Sequence, residues 1–270
     1  MKQWIARAVL LLLVLAVGVL VFDRVRESAL ADAARSDAVT TLSVQSEEPR
    51  EPGESVQQPV IALDRVPLGS VSENPEGGVT ILGTAPDGGT VSHTFTDVLM
   101  DSWYRDAVNY AVTSGLMEGM EEQRFRPEYG VLRASFATIL YRYANGTPVE
   151  PQNSFDDVAE DDWYHDAVHW AANNGYMTGL SASAFGAETY LTCEQALIGL
   201  HRLAGEPETN ATLENYPYAP KVSDFGRDAV AWAWGNGLIS ETDCVWYPPQ
   251  AISRAQVAQL FLRYFAMNQA

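Results

Sequence analysis

Apolar and polar positions follow the same order in two stretches of the chain that lie 60 residues apart. Each stretch opens with Phe-x-Asp, continues with small apolar residues at helical spacing, and closes with a second helix-like apolar stripe. Identical positions include Phe95, Asp97, Trp103, Ala107, Gly115, Gly119, Phe125 and Arg142 in the first stretch, and Phe155, Asp157, Trp163, Ala167, Gly175, Gly179, Phe185 and Arg202 in the second. Such repeats usually bury a core only by packing against one another.

The pattern predicts a helix, a loop and a helix in each copy. In the first copy, an apolar stripe predicts a helix over residues 103–114, formed by Ala107, Val108, Ala111 and Val112. Gly115 follows where a left-handed C-terminal cap is expected. A second apolar stripe predicts a helix over residues 133–143.

A third copy is degenerate. Asp224 and Asp228 are four positions apart, where Asp157 and Asp166 are nine apart, so five residues and the tryptophan are missing. The sequence therefore predicts an all-α fold of three tandem helix-loop-helix repeats. Their boundaries are residues 95–146, 155–205 and 222–266.

The N-terminus has the pattern of an export signal. Lys2 and Arg7 precede an unbroken apolar run over residues 8–22, which is shorter than the roughly 20 residues of a membrane span. Residues 29–31 match the small-x-small pattern of a cleavage site. We expect a signal peptide over residues 1–31; the alternative is an uncleaved signal anchor.

Residues 32–92 are predicted to be a flexible, disordered linker. Their first part, to residue 75, is rich in Ser, Glu, Pro and Gln and has no sustained periodicity, so it has little apolar surface to offset the entropy of ordering. Apolar residues on either side of a Pro-Asp-Gly-Gly turn favour at most a weak hairpin over residues 78–92.

Composition excludes several classes of function. The net charge is −18 and no basic run is present, which argues against a nucleic-acid partner. The chain has two cysteines and no CxxC or HExxH-like pattern, so we predict no metal site and no cofactor. It has no GxSxG motif, no Cys/His pairing and no carboxylate dyad, so we predict no enzyme activity.

The start of each second helix carries the most suggestive chemistry. Two of these helices have capping boxes, Thr192 with Gln195 and Ser253 with Gln256. Arg133 and Arg254 occupy the first helical position in copies one and three. A helix N-terminus with an arginine could bind a carboxylate or phosphate. The alternative is that both arginines form surface ion pairs with some of the many acidic residues.

The combined motifs resemble the S-layer homology (SLH) domain. The resemblance rests on Phe-x-Asp-Val, Trp-Tyr-x-Asp-Ala-Val, Gly-Leu/Tyr-Met-x-Gly, Phe-x-Pro, Arg-Ala and a closing Arg, and it covers residues 95–266. It implies three repeats in a pseudo-threefold helical bundle with grooves between copies. It also implies non-covalent attachment to a secondary cell-wall polymer, a peptidoglycan-linked glycan that often carries a pyruvylated amino sugar. The expected location is the cell wall or surface of a bacterium.

The resemblance also implies which residues bind the ligand. These are Arg133, Arg254, Asp97, Asp157, Trp103, Trp163, Gly119 and Gly179. Cys193 stands where the second copy would have its arginine, which predicts a weakened site there. Because adjacent copies meet in the family fold, a disulfide between Cys193 and Cys244 across a groove is one option, and two free thiols are the other.

The sequence is compatible with two functions. The leading hypothesis is a non-catalytic, exported wall-binding protein. The alternative is a protein–protein interaction scaffold whose sugar binding has decayed, held to a membrane if the N-terminal segment is not cleaved.

Overall fold

The computed structural model describes residues 66–269. The predicted signal peptide or anchor and the linker as far as residue 65 lie outside this part. Three strands come first: β1 (Ser70–Glu73), β2 (Val79–Thr84) and β3 (Thr90–Phe95). Six helices follow: α1 (Arg105–Thr113), α2 (Arg133–Tyr143), α3 (His165–Asn173), α4 (Cys193–Leu203), α5 (Arg227–Gly235) and α6 (Arg254–Met267). None of the helices among these residues is long and apolar enough to cross a membrane.

The three strands form an antiparallel sheet in the order β1-β2-β3, which the all-α prediction omits. Val79 and Ile81 alternate with exposed or half-buried residues and are fully buried, so one face of β2 packs towards α1. Asn109 of α1 fixes the leading segment, since its amide group donates to the Gly69 carbonyl at 2.7 Å and accepts from the Gly69 N–H at 3.0 Å. Strand β1 and helix α1 support the β2–β3 hairpin, which would be only marginally stable alone.

Helices pair between copies of the repeat rather than within them. The second helix of copy one, α2, packs against α3 of copy two; α4 likewise packs against α5; and α6 returns to α1 of copy one. Each interface contains an aromatic pair, with ring centroids 5.4 Å apart for Tyr141–Trp170, 5.1 Å for His201–Trp232 and 5.3 Å for Tyr110–Phe265. The three copies are therefore joined cyclically.

A closed set of three backbone hydrogen bonds joins the segments that lead into the second helices. The N–H of Val131 donates to Ile252 at 2.9 Å, Ile252 donates to Leu191 at 2.9 Å, and Leu191 donates to Val131 at 2.8 Å. Leu191 and Ile252 are fully buried and Val131 nearly so, which makes these bonds costly to lose. Every copy thus depends on both of the others.

Candidate functional site

Arg133 begins α2 in copy one but binds the loop of copy two. Its Nε donates to the Phe185 carbonyl at 3.0 Å and its Nη2 to the Thr178 carbonyl at 2.5 Å. The guanidinium also lies 4.9 Å from the centroid of the Phe185 ring. With only 4% of the residue exposed, Arg133 is a buried connection between copies.

Arg254 makes the equivalent contacts from copy three to copy one. Its Nε donates to the Phe125 carbonyl at 2.9 Å, its Nη2 donates to the Glu118 carbonyl, and its guanidinium lies 4.4 Å from the Phe125 ring centroid. We call each set, Arg133 with Phe185 and Thr178, and Arg254 with Phe125 and Glu118, an arginine clamp.

The helix N-termini themselves are not open to a ligand. The first two N–H groups of α2 donate to Thr189 and Ala187, and those of α6 donate to Tyr129 and Pro127. The capping boxes at Thr192 and Ser253 are confirmed and take the next N–H group in α4 and α6. The prediction of an anion site built from helix amides is therefore wrong, because backbone carbonyls of the next copy already occupy them.

The surface ion-pair alternative is also wrong for both arginines. Among residues 66–269, neither Arg133 nor Arg254 lies in a salt bridge. Desolvation lowers the pKa of Arg133, although the charge of Asp157 partly opposes this. Desolvation likewise lowers the pKa of Arg254 to about 10, opposed by Asp97. Both are arginines that stay protonated at neutral pH, and their guanidinium groups contact backbone carbonyls and a phenylalanine ring rather than a carboxylate.

Asp97 and Asp157 hold the loop that each clamp grips. Asp157 accepts hydrogen bonds from the N–H groups of Phe185, Gly186 and Ala187 at 2.7, 2.6 and 2.9 Å. Asp97 accepts from Phe125 and Arg126 at 2.9 and 2.8 Å. These carboxylates have a structural role in the loop, so the arrangement gives no direct support for the predicted ligand contact.

The two loop glycines allow close packing. A Cβ on Gly119 would lie 2.9 Å from the Phe95 ring, and one on Gly179 would lie 2.8 Å from the Phe155 ring and 2.6 Å from the Ser181 carbonyl. The tryptophans lie outside the core: Trp103 is 36% exposed and Trp163 is 68% exposed.

A groove of about 200 Å³ opens beside the clamp of Arg133. We call it the Arg133 groove, and its lining includes Arg133, Thr178, Gly179, Leu180, Gln195, Arg202 and Phe225. It thus combines Arg133 and Gly179 from the predicted site, whereas Trp163 and Asp157 are not among its lining residues. The sequence pattern marked Arg202 only as the closing arginine of copy two and missed Phe225, because the five-residue deletion obscures how the start of copy three matches the other copies.

We call the contact between two copies a joint. The joint between copies two and three differs from the other two joints because it has no arginine clamp. Cys193 replaces the arginine and is buried, and Tyr216 from the segment between these copies donates its hydroxyl to the Trp246 carbonyl. Asp224, aligned with Asp157, is exposed. Cys193 and Cys244 are free thiols, so the disulfide considered from the sequence is not formed in this structure.

The S-layer homology domain family matches residues 94–137 and 154–197, which contain the buried phenylalanines, the loop aspartates and the arginine clamp of the first two copies. The chain carries S-layer homology domains. The match ends before copy three, which is nevertheless hydrogen-bonded into the same backbone ring. SLH domains belong to proteins of the bacterial cell surface and cell wall, and this is the location of the present chain.

Several named proteins are similar to the chain. It is 28% identical to the surface-layer 125 kDa protein of Lysinibacillus sphaericus over 149 residues, which are 53% of this chain and 12% of that protein. It is 26% identical to an amylopullulanase of Thermoanaerobacterium thermosulfurigenes over 171 residues, 62% of this chain and 9% of the enzyme. It is also 26% identical to a cellulosome-anchoring protein of Acetivibrio thermocellus over 131 residues, 46% of this chain and 29% of that protein. The chain thus spans only a small part of each relative.

Proposed function

We propose that this protein attaches non-covalently to the cell wall by binding an anionic sugar of a secondary wall polymer, of the pyruvylated amino-sugar type, in the Arg133 groove. The three copies act together as one pseudo-threefold bundle that holds the groove in shape. The observation that carries the proposal is a buried arginine at the groove with no carboxylate in contact. Surface-layer and cellulosome-anchoring proteins among the relatives support the same kind of attachment.

The charge at the groove favours an acidic ligand. Arg133 keeps its positive charge in a desolvated position, where a carboxylate or phosphate would gain more than in water. Arg202 adds a second guanidinium at the groove; its side chain is 33% exposed, its Nε lies 3.7 Å from Glu206 and its Nη1 donates to the Gly175 carbonyl at 3.4 Å. Because the chain has a net charge of −18, an anion must be held by such placed cations rather than by the general surface.

The groove suits one sugar unit rather than a folded partner. A volume of about 200 Å³ holds roughly seven water molecules. Its polar groups are the two guanidinium groups, the Gln195 amide and the Thr178 backbone, and its apolar groups are Leu180 and Phe225. This mixture fits a sugar ring that carries one acidic substituent.

We propose that the chain has no catalytic activity of its own. The amylopullulanase matches it over 9% of the enzyme's length. Among residues 66–269, no three His, Cys, Asp or Glu side chains are placed to hold a metal ion. The three-stranded sheet and the three repeats contain all the α-helices and strands among residues 66–269.

A second candidate is the interaction scaffold with decayed sugar binding. It is favoured by the joint at Cys193, where Tyr216 has replaced the clamp and no arginine is present. In that case one or more of the copies would serve only to keep the bundle folded.

A matched pair of charge changes tests the wall-binding proposal on the full chain. Arg202→Gln removes the outer guanidinium of the groove, and Arg227→Gln removes an exposed arginine outside it. We expect Arg202→Gln to weaken retention on purified sacculi about tenfold, the loss of roughly one charge-assisted contact. Arg227→Gln should be retained like wild type. Equal retention of both variants would contradict the assignment of the groove.

A further inference from the structure

Phe225 is the most exposed of the large apolar side chains among residues 66–269. It is aligned with Val158 of copy two, which is 9% exposed, yet Phe225 itself is 77% exposed. It lies in a short 3-10 turn, Asp224–Gly226, directly before α5, where copy three has lost five residues. Relative to the helix that follows, Phe225 lies where the exposed Trp163 lies in copy two, so copy three keeps an outward aromatic ring there despite the deletion.

A buried carboxylate fixes this turn. Glu194, 9% exposed, accepts hydrogen bonds through Oε1 from the Ser223 N–H at 2.8 Å and the Ser223 hydroxyl at 2.9 Å. Gly226 leaves room for it, since a Cβ there would lie 2.2 Å from Glu194 Oε1. The equivalent positions in copies one and three are Ala134 and Ala255, so copy two has gained a polar anchor where they have a methyl group.

The turn places Phe225 at the Arg133 groove. The same groove contains Arg133 from copy one, Leu180 from copy two and Phe225 from copy three, so all three copies contribute to it. Exposed aromatic rings beside charged and hydrogen-bonding groups are typical of binding sites, because the ring supplies apolar contact and the polar groups set the orientation.

We propose that Phe225 is the stacking residue of the Arg133 groove and packs against the apolar face of the bound sugar ring, while Arg133 and Arg202 bind its acidic substituent. This rests on the proposed function and identifies a specificity-determining contact within it. The Glu194–Ser223 anchor is the device that presents the ring. The degenerate third copy thus contributes Phe225 to a groove that copies one and two otherwise form, although the joint between copies two and three lacks an arginine.

Calorimetric titration of the full chain tests this inference. The probe is the methyl glycoside of a pyruvylated N-acetylhexosamine, and a second arm uses the same sugar with a phosphate in place of the pyruvyl ketal. We expect Phe225→Ala to weaken binding of the pyruvylated probe about tenfold, Phe225→Leu to weaken it about threefold, and Phe225→Trp to retain it. The matched control is Val245→Ala, which shortens another exposed apolar side chain of copy three outside the groove.

The outcomes separate this inference from the proposed function. If wild type binds either probe and Phe225→Ala binds it equally well, Phe225 is not a stacking residue, although the wall-binding proposal stands. If wild type binds neither probe, the proposed sugar site is itself overturned. Because Phe225 is exposed, we expect its variants to unfold at the wild-type temperature, and a loss of binding with an unchanged melting temperature supports stacking.

Discussion

The hydroxyl of Tyr216 donates a hydrogen bond to the Trp246 carbonyl, and it does so where the other two joints use an arginine. Trp246 occupies the position of Phe125 and Phe185, whose carbonyls accept from Arg254 and Arg133. The arginine missing at Cys193 is thus replaced by a tyrosine from the segment between copies two and three. A neutral hydroxyl satisfies the same carbonyl, but it brings no positive charge to this joint.

Removing that hydroxyl should destabilise the bundle. Tyr216 is 4% exposed, so Tyr216→Phe leaves the Trp246 carbonyl buried without its partner. We expect the free energy of unfolding to fall by about 1–2 kcal/mol, measured by urea denaturation. Tyr218→Phe is the control, since Tyr218 is partly exposed and contacts Tyr216 and Tyr247 through its ring, which the change leaves in place. Equal stability of the two variants would show that Tyr216 does not replace the clamp.

Asp157 should matter more for stability than its exposed neighbour Asp156. Asp157→Asn replaces a charged acceptor of three backbone N–H groups by a neutral amide that presents only one acceptor oxygen. We expect a loss of about 3 kcal/mol in the free energy of unfolding. Asp156→Asn is the control and should change it by less than about 0.5 kcal/mol. A smaller loss at Asp157 than at Asp156 would contradict the role assigned to the loop carboxylate.

The same carboxylate predicts a pH dependence. Desolvation raises the pKa of Asp157, but hydrogen bonds from Ala187, Phe185 and Gly186 outweigh it and hold the pKa below the ordinary 3.8. A depressed pKa in the folded state gives stability that is present above the unfolded value and is lost as pH falls through the folded one. The stability difference between wild type and Asp157→Asn should therefore be constant near neutral pH and shrink below about pH 4, as denaturation at several pH values will measure. A difference that grows in acid would contradict this sign.

The two thiols should be unreactive in the folded protein. Burial raises the pKa of Cys193 to about 12 and that of Cys244 to about 11, so almost no thiolate exists at pH 8. We expect iodoacetamide without reductant to add nothing to the native chain within an hour at pH 8, and to add two groups after unfolding in urea, as read by mass spectrometry. Two unreactive cysteines in the unfolded chain would instead show the disulfide.

The sheet should depend on Asn109. Asn109→Ala removes both hydrogen bonds to Gly69 from a side chain that is 1% exposed. We expect amide exchange in β1 and β2 to become at least tenfold faster, while the helices of copy two keep their protection. Asn174→Ala is the control, because Asn174 is exposed and its amide bonds only to its own helix. Unchanged exchange in the strands would show that the sheet does not depend on the Asn109 hydrogen bonds.

Local patterns predicted the helices and their caps well. The apolar stripes of copy one correspond to α1 and α2, and the capping boxes of α4 and α6 follow directly from the Thr-x-x-Gln and Ser-x-x-Gln patterns. The sequence pattern does not predict which helix each helix packs against, because packing within a copy and packing between copies would bury the same apolar stripe. For the same reason, Arg133 was identified as a ligand residue, while its contacts with Phe185 and Thr178 could be found only from the structure.

The weak hairpin expected over residues 78–92 corresponds to β2 and β3, whereas β1 and the rebuilt joint are absent from the sequence prediction for a different physical reason. Residues 70–73 have a polar composition, and they are ordered by pairing with β2, a contact that composition does not reveal. Tyr216 lies between copies two and three, outside the repeated positions, so a comparison of the copies gives it no role. Phe225 lies next to the five-residue deletion, where the alignment of the copies does not reveal its place at the groove.

Co-sedimentation with purified sacculi tests wall attachment most directly. Sacculi of the producing bacterium are compared before and after hydrofluoric acid treatment, which cleaves the phosphodiester links that hold secondary polymers to peptidoglycan. We predict that the full chain sediments with intact sacculi and stays in solution with the treated ones. Failure to sediment with intact sacculi, or equal sedimentation with both, would contradict binding through a secondary wall polymer.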